Sequence, residues 1–424
     1  MKKDSFKLLI KEFHEDQLPS PVERELILPR TKKIITLTGS RRSGKTFYFF
    51  QLIQTLLQEV DRELIIYLNF EDDRILPLEI SDLDTLLEAY YELYPHNKDK
   101  ELFLFFDEIQ NVDSWEVYIR RIHDKEKVKI WITGSNSNLL SREIATSLRG
   151  RTLTFSIFPF SFREFLTYKG IQKNHHLTYS KDRFKVKKLF DRYLRLGGFP
   201  EVVTEENHLE QSILSEYFET MIYRDIVERF SVRNTNLLKK LGKYLLTNIA
   251  RPFSINGYYS SLKETTAVSK ETLFEYVSYF QEASVIYLVP LFSYSVRKQQ
   301  MNPKKVYCVD NGLRNAVSFT FSQDYGWLAE NLVFIELQKQ GVELYYWKDK
   351  EEVDFVVKHK DHSITAINVT YDNEIKEREL SALAEFKGKH RKVKKLLLLT
   401  KDRNENKGSV QCIPLWEWLL HPKI

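Results

Sequence analysis

The stretch Gly39-Ser40-Arg41-Arg42-Ser43-Gly44-Lys45-Thr46 carries the most chemistry in this chain, and it fits the pattern G-x-x-x-x-G-K-[ST]. Gly39 and Gly44 allow a turn tight enough for backbone amides to face phosphate oxygens. A helix starting where the loop ends adds its partial positive charge. Lys45 would then reach the β- and γ-phosphates of ATP, and the Thr46 hydroxyl would ligate magnesium. A second group ends the apolar run Glu101-Leu102-Phe103-Leu104-Phe105-Phe106-Asp107-Glu108. Asp107 would hold Mg2+ through its water shell, and Glu108 would orient and activate an attacking water. The run 128–136 ends in Ser135 and Asn136, either of which could sense the γ-phosphate from a strand tip. Arg149 and Arg151 flank Gly150. They suit reach into a nucleotide site, from the same chain or from a neighbouring subunit, and a solvated loop is the alternative.

These groups need elements to hold them. Residues 33–38 form a β-branched run that reads as a buried strand, and residues 47–57 read as a helix buried on most sides. Further strands are expected at 63–70, 101–108, 128–136 and 152–158. Residues 1–158 therefore read as an α/β unit with a parallel sheet. Residues 159–235 show helical spacing broken by Gly197-Gly198-Phe199-Pro200, as a small helical lid would. Residues 236–320 give helices and then strand-like runs at 285–289 and 305–309, with Ser269 as an N-cap, which reads as a winged helix. Residues 321–424 form a mixed α/β unit. Its helix at 327–339 contains Glu330, strands follow at 343–347, 353–357 and 364–369, a helix lies near 375–387, and a strand at 393–400 closes the pattern.

Composition sets outer bounds. The 424 residues suffice for two to four domains, and 42% hydrophobic with 29% charged residues is ordinary for a globular chain. The net charge of +5 is too mild to argue for nucleic acid. Two cysteines, Cys308 and Cys412, argue for a reducing compartment and against a zinc site. No apolar stretch approaches the ~20 residues of a membrane span, and the N-terminus lacks the core of a signal peptide. The expectation is a cytoplasmic protein without a membrane partner. The pair His175-His176 reads as loop, not metal site.

Taken together, these phrases resemble a family. Arg24-Glu25-Leu26, the loop at 38–46, Phe106-Asp107-Glu108-Ile109-Gln110-Asn111 with Trp115, and Thr133-Gly134-Ser135-Asn136 are similar to archaeal and bacterial AAA+ ATPases with a nuclease-like tail. So are Leu148-Arg149-Gly150-Arg151, the run 158–165, Tyr223-Arg224-Asp225-Ile226, the run 304–313, and Glu352-Val353-Asp354-Phe355. The resemblance implies an AAA+ P-loop core, a helical lid, a winged helix, and a C-terminal domain like PD-(D/E)XK restriction endonucleases. It implies ATP hydrolysis without an agreed cellular role.

One departure stands out. A nuclease of that kind needs an acid on one strand and acid-x-Lys on the next. Asp354 suits the first position and Glu330 could assist. The second strand, however, offers Asn368 and Thr370, so a fold without cleavage is expected. The wing region carries Arg297, Lys298, Lys304 and Lys305, which favours phosphate contacts with DNA. The preceding helix carries Glu271, Glu275 and Glu282, which would repel them. Three readings remain open: an ATP-driven switch or motor on DNA or a DNA-bound partner, a signalling ATPase that gates a protein partner, and an ATP-regulated nuclease. Homo-oligomerisation is compatible with each.

Overall fold

The computed structural model describes residues 2–134, 148, 150–171, 182–263, 268–318 and 324–424. The chain divides into two compact units, Met1–Phe158 and Pro159–Ile424. Ser135, Asn136, Arg149 and the His175-His176 pair lie outside the described residues.

The first unit is built on a five-stranded sheet in the order β2-β3-β4-β1-β5, where β1 is Ile34–Thr38, β2 Ile65–Asn69, β3 Leu102–Asp107, β4 Val128–Gly134 and β5 Thr152–Ser156. Every pairing is parallel. Such sheets are covered on both faces, which is why β1 and β3 read as unbroken apolar runs and are buried throughout. The register places Thr38 beside Gly134 and Ser156, and Asn69 beside Asp107. The C-terminal ends of the strands therefore share one edge. Helix α2, Lys45–Leu56, leaves that edge and packs Phe49 edge-on against Phe105 with ring centroids 5.3 Å apart. An amphipathic helix that the sequence reading did not anticipate, α1 (Lys2–Glu15), packs with α3 (Ile80–Leu93), burying Phe6 and Ile10. Helix α4 follows at Trp115–Lys125. β5 stops at Ser156, two residues short of the expected end.

The second unit opens with α5, Phe162–Tyr168, started by a capping box: Ser161 Oγ accepts from the Glu164 amide at 3.1 Å and Glu164 Oε2 accepts from the Ser161 amide at 2.7 Å. Helices α6 (Arg183–Leu196), α7 (Pro200–Thr204) and α8 (Glu210–Thr220) follow, and a π-helix at Met221–Glu228 continues the last of them. Then come α9 (Thr235–Thr247), β6 (Pro252–Phe253), α10 (Ile255–Leu262), α11 (Lys270–Glu282), β7 (Ile286–Val289), α12 (Val296–Met301) and β8 (Lys304–Cys308). The three short strands pair antiparallel in the order β6-β8-β7. After α13 (Asn311–Val317) and α14 (Tyr325–Lys339) lies a mixed six-stranded sheet, β13-β14-β12-β11-β10-β9. Its strands are β9 Glu343–Lys348, β10 Glu352–Lys358, β11 Ile364–Val369, β12 Val393–Thr400, β13 Glu405–Lys407 and β14 Val410–Pro414, with α15 (Glu377–Lys389) before β12 and α16 (Leu415–Leu420) last. The expectation that 393–400 closes the pattern is corrected. β14 adds in parallel beyond β12, and β13 is a short exposed edge that pairs only with it.

A buried polar knot joins the pieces of this unit. Asp310 accepts from the amides of Gly198 at 2.7 Å and Gly312 at 2.8 Å. Asn311 Nδ2 donates to the carbonyls of Leu194 and Leu328, both at 2.9 Å. Asn331 completes it, accepting from the Cys308 amide at 2.9 Å and donating to Asn311 Oδ1 at 2.9 Å. The turn at Gly197 has φ 73°, and a Cβ there would lie 1.9 Å from Asp310 Oδ1. Gly197→Ala should therefore destabilise this unit by at least ~2 kcal/mol, because the left-handed backbone strain and the overlap add. Urea unfolding checks this, and an unshifted midpoint would contradict it.

A buried charge cluster ties β8 to the large sheet. Lys305 is 1% exposed, and its ammonium lies 2.9 Å from Glu330, 3.0 Å from Asp354 and 2.7 Å from Glu352. The Tyr307 hydroxyl donates to the same Glu330 oxygen at 2.6 Å. The expectation that Lys305 contacts DNA is thus corrected, since alternation along β8 turns it inward. Burial, then the Asp354 charge, pushes the Glu330 carboxyl from its ordinary 4.5 up to about 8. Below pH ~4.5 the group is protonated folded and unfolded, so its contribution is fully present. That contribution is lost as pH rises toward 8, because the unfolded chain ionises first. Glu330→Gln should flatten the fall in stability between pH 5 and pH 8 that denaturant midpoints record for the native chain, and an unchanged slope would contradict the assignment.

Candidate functional site

The Gly39–Thr46 loop follows β1 at the shared C-terminal edge of the sheet. Ile157 explains its first glycine: a Cβ on Gly39 would lie 2.1 Å from the Ile157 carbonyl oxygen. Gly44, at φ 97°, caps α2 in the left-handed region. Arg24 braces the loop from behind, donating to the Ser43 carbonyl at 3.1 Å and the Phe158 carbonyl at 2.5 Å. Within the loop, the Ser40 and Ser43 hydroxyls are buried without a hydrogen-bond partner among the described residues. Buried polar atoms left this way suit an anionic ligand that supplies acceptors. Lys45 Nζ donates to the Gly39 and Ser40 carbonyls, each at 3.3 Å, and lies 3.3 Å from Glu108 Oε1.

The acid pair reaches this loop across β4. β3 and β1 are not neighbours, so Thr133 of β4 sits between them and donates to Asp107 Oδ1. Thr46 Oγ1 donates to Asp107 Oδ2 at 2.6 Å, and the Tyr67 hydroxyl of β2 donates to the same oxygen at 3.2 Å. Burial, then the Glu108 charge, pushes the Asp107 carboxyl above its ordinary range. The chain then turns sharply: Glu108 takes φ 52°, a left-handed conformation unusual for a side-chain-bearing residue, fixed by its amide donating to Thr133 Oγ1 at 2.9 Å. That turn aims the Glu108 carboxylate at Lys45. Gln110 Nε2 donates to its other oxygen at 2.6 Å. Burial opposes ionisation of Glu108, but Lys45 and Gln110 outweigh it and hold the carboxyl below its ordinary range.

Lys45, Thr46, Asp107 and Glu108 are thus brought together as their spacing implied. Arg41 pairs with Glu71 at 3.3 Å, and its charge helps Lys45 and Gln110 hold the Glu108 carboxyl low. A hydroxyl and a carboxylate side by side form the hard oxygen set that Mg2+ prefers, so the pair Thr46 and Asp107 fits that ion. Arg151 does not join them. It forms a two-pronged pair with Asp124, at 2.8 and 2.9 Å, and its carbonyl accepts from the Ile34 amide at 2.9 Å. It stands where β1 and β5 begin, roughly 15 Å of strand from the loop at ~3.3 Å per residue. Reach of Arg151 into the site of its own chain is therefore corrected. Thr133, Tyr67, Arg24 and Gln110 were given no role from sequence. Only Arg24, Thr133 and Gln110 lay in phrases that already stood out.

At the second unit's wing, Arg297 and Lys298 are exposed on α12 and Lys304 is half-buried, and none of the three has an acidic partner among the described residues. In the C-terminal sheet, Asn368 Oδ1 accepts from the Asp354 amide at 3.0 Å and its Nδ2 donates to Glu379 Oε2 at 3.0 Å. Its polar atoms are committed to the fold. With the Lys305 ammonium among Glu330, Asp354 and Glu352, these residues do not fit a divalent metal. No helix among the described residues is long and apolar enough to cross a membrane.

Comparison with known proteins agrees with the first unit's geometry. Residues 31–166 match the family model described as an AAA domain, while residues 187–324 and 325–418 match two domains of unknown function. The chain is 35% identical over 407 residues to the uncharacterized protein MJ1544 of Methanocaldococcus jannaschii, covering 92% of this chain and 88% of that one. It is 32% identical over 397 residues to an uncharacterized protein of Haemophilus influenzae, covering 92% and 95%. Among solved structures, the Walker-type ATPase PABY2304 of Pyrococcus abyssi aligns with a TM-score of 0.41 at 13% identity, over 74% of this chain and 95% of that one. The chain belongs to the family of AAA-domain proteins that includes the M. jannaschii and H. influenzae relatives.

Proposed function

We propose that the first unit binds ATP with magnesium and hydrolyses it, acting as a switch or motor. The observation that carries this is the junction of Lys45, Thr46, Asp107 and Glu108 at one sheet edge. In this reading the loop amides and Lys45 bind the β- and γ-phosphates. Thr46 and Asp107 hold the metal, which neutralises phosphate charge. Lys45 leaves Glu108 for the γ-phosphate, and the Glu108 carboxylate takes a proton from the attacking water. Ser135 or Asn136 would sense the γ-phosphate. A further cation would come from Arg149, or from an arginine of a second copy of the chain.

Lys45→Ala should weaken ATP binding at least tenfold, read by displacement of a fluorescent nucleotide. Glu108→Gln should keep that affinity and lower turnover about a hundredfold or more, since general-base removal costs ~10²–10⁴. Unchanged turnover in Glu108→Gln would remove the proposed role of that carboxylate.

For the second unit we read 159–235 as a helical lid, 236–320 as a winged helix, and 321–424 as a nuclease-like fold that does not cut. The lysine ammonium among Glu330, Glu352 and Asp354 supports the last point, because it stands where a divalent metal would be needed. Arg297, Lys298 and Lys304 support contact with a DNA backbone. Phe274, 55% exposed between Glu271 and Glu275 on α11, favours a second reading, in which this face docks a protein.

Substituting Arg297, Lys298 and Lys304 together by Ala should abolish a salt-sensitive gel shift of duplex DNA, since each lost phosphate contact lowers the salt slope by about 1. Native protein should leave the same DNA uncut with magnesium or manganese. A shift that survives the triple substitution would favour docking through another surface, and cleavage lost in Asp354→Ala would overturn the inactive-nuclease reading.

A further inference from the structure

The Gln110 side chain has one satisfied end and one empty end. It follows Glu108 on a single 3-10 turn, Ile109–Asn111. Its Nε2 donates to Glu108 Oε2 at 2.6 Å. An ionised carboxylate only accepts hydrogen bonds, so the nitrogen must face Glu108 and the amide oxygen must face away from it. That oxygen is buried and has no hydrogen-bond partner among the described residues. An unpaired buried acceptor is costly, on the order of 1–3 kcal/mol, and such groups mark places where a ligand or water completes the network.

Its neighbours say which completion is apt. Glu108 Oε1 is held by Lys45 at 3.3 Å while Oε2 is held by Gln110. When Lys45 turns to phosphate, Oε1 loses that ion pair on the side facing the loop. The carboxylate oxygen and the amide oxygen then form a pair of acceptors held in fixed relation by the hydrogen bond between the two side chains. A water molecule has two protons to give.

We propose that Gln110 positions the attacking water together with Glu108. This rests on the ATPase reading above and extends it. In the step, one water proton passes to Glu108, and the other is held by the Gln110 amide oxygen. The water oxygen bonds to the γ-phosphorus as the bond from that phosphorus to the β–γ bridging oxygen breaks, and ADP and phosphate result. Gln110 also fixes the Glu108 rotamer, so one side chain serves both the base and its substrate. The left-handed turn at Glu108 makes this geometry available, because it lets residues 108 and 110 face the same side.

The test is Gln110→Met, which keeps length and volume but removes the donor and the acceptor. ATP affinity and KM should stay within twofold of native, while kcat falls roughly tenfold or more. Affinity for ADP with aluminium fluoride, which mimics the attacked phosphate, should fall in parallel, whereas affinity for ADP alone should not. Adding Gln110→Met to Glu108→Gln should cost little further turnover, because the two act on one water. A native kcat in Gln110→Met, a native affinity for ADP with aluminium fluoride, or a loss that multiplies fully with that of Glu108→Gln would each overturn the proposal. The ATPase reading fails separately, by an absence of turnover in the native chain together with undiminished ATP affinity in Lys45→Ala.

Discussion

The buried Asp107 carboxylate is the constraint on which the first unit depends. It accepts hydroxyl donors from Thr46 on α2, Thr133 on β4 and Tyr67 on β2. A carboxylate removed from water must be compensated by hydrogen bonds or charge, or it will not stay ionised. Here the compensation comes from elements on both sides of β3, so satisfying one side chain also fixes where the phosphate loop stands. Thr133 gains a second task from the same position, because its hydroxyl holds the Glu108 amide in the left-handed turn. The loop, Asp107 and Glu108 are thereby registered through a single β4 residue.

Charged groups of the site pair with one another. Lys45 binds Glu108 and two loop carbonyls, and Thr46 binds Asp107. These pairs keep the charged groups compensated, and they hold the Glu108 carboxylate against Lys45. A triphosphate would compete for Lys45, and a metal would compete for Thr46 and Asp107. In the proposed function a ligand would have to exchange existing partners, which would couple Glu108 to occupancy of the loop.

The second unit obeys the same rule with different residues. Asp310 is buried against backbone amides, and burial raises its carboxyl to about 6 despite those bonds. Lys305 lies among the acidic side chains of Glu330, Glu352 and Asp354, and removing an ionised partner from such a cluster leaves uncompensated buried charge, which is strongly destabilising. Both networks connect segments far apart in sequence, so they specify how helices, ribbon and sheet assemble. The segments around 197–200, read in the sequence as a turn, and 304–313, part of the family resemblance, are contact points of these networks.

The sequence by itself determined whatever depends on neighbouring residues. The glycines at 39 and 44, the lysine and threonine that follow them, the apolar strand ending in Asp107 and Glu108, and the N-cap at Ser269 are all local patterns, and local geometry made them legible. Tertiary structure decided the rest. The donors to Asp107 lie 26, 40 and 61 residues from it, and nothing local marks that they converge on one carboxylate. Arg151 seemed placed to serve the nucleotide site, but the strand it precedes runs parallel to β1 and leaves it at the opposite end of the sheet. Lys304 and Lys305 looked alike as adjacent cations in a basic stretch. Strand alternation turns one outward and the other inward, and only the packing of α14 and β10, 25 and 49 residues further on, supplies the carboxylates that make a buried ammonium tolerable.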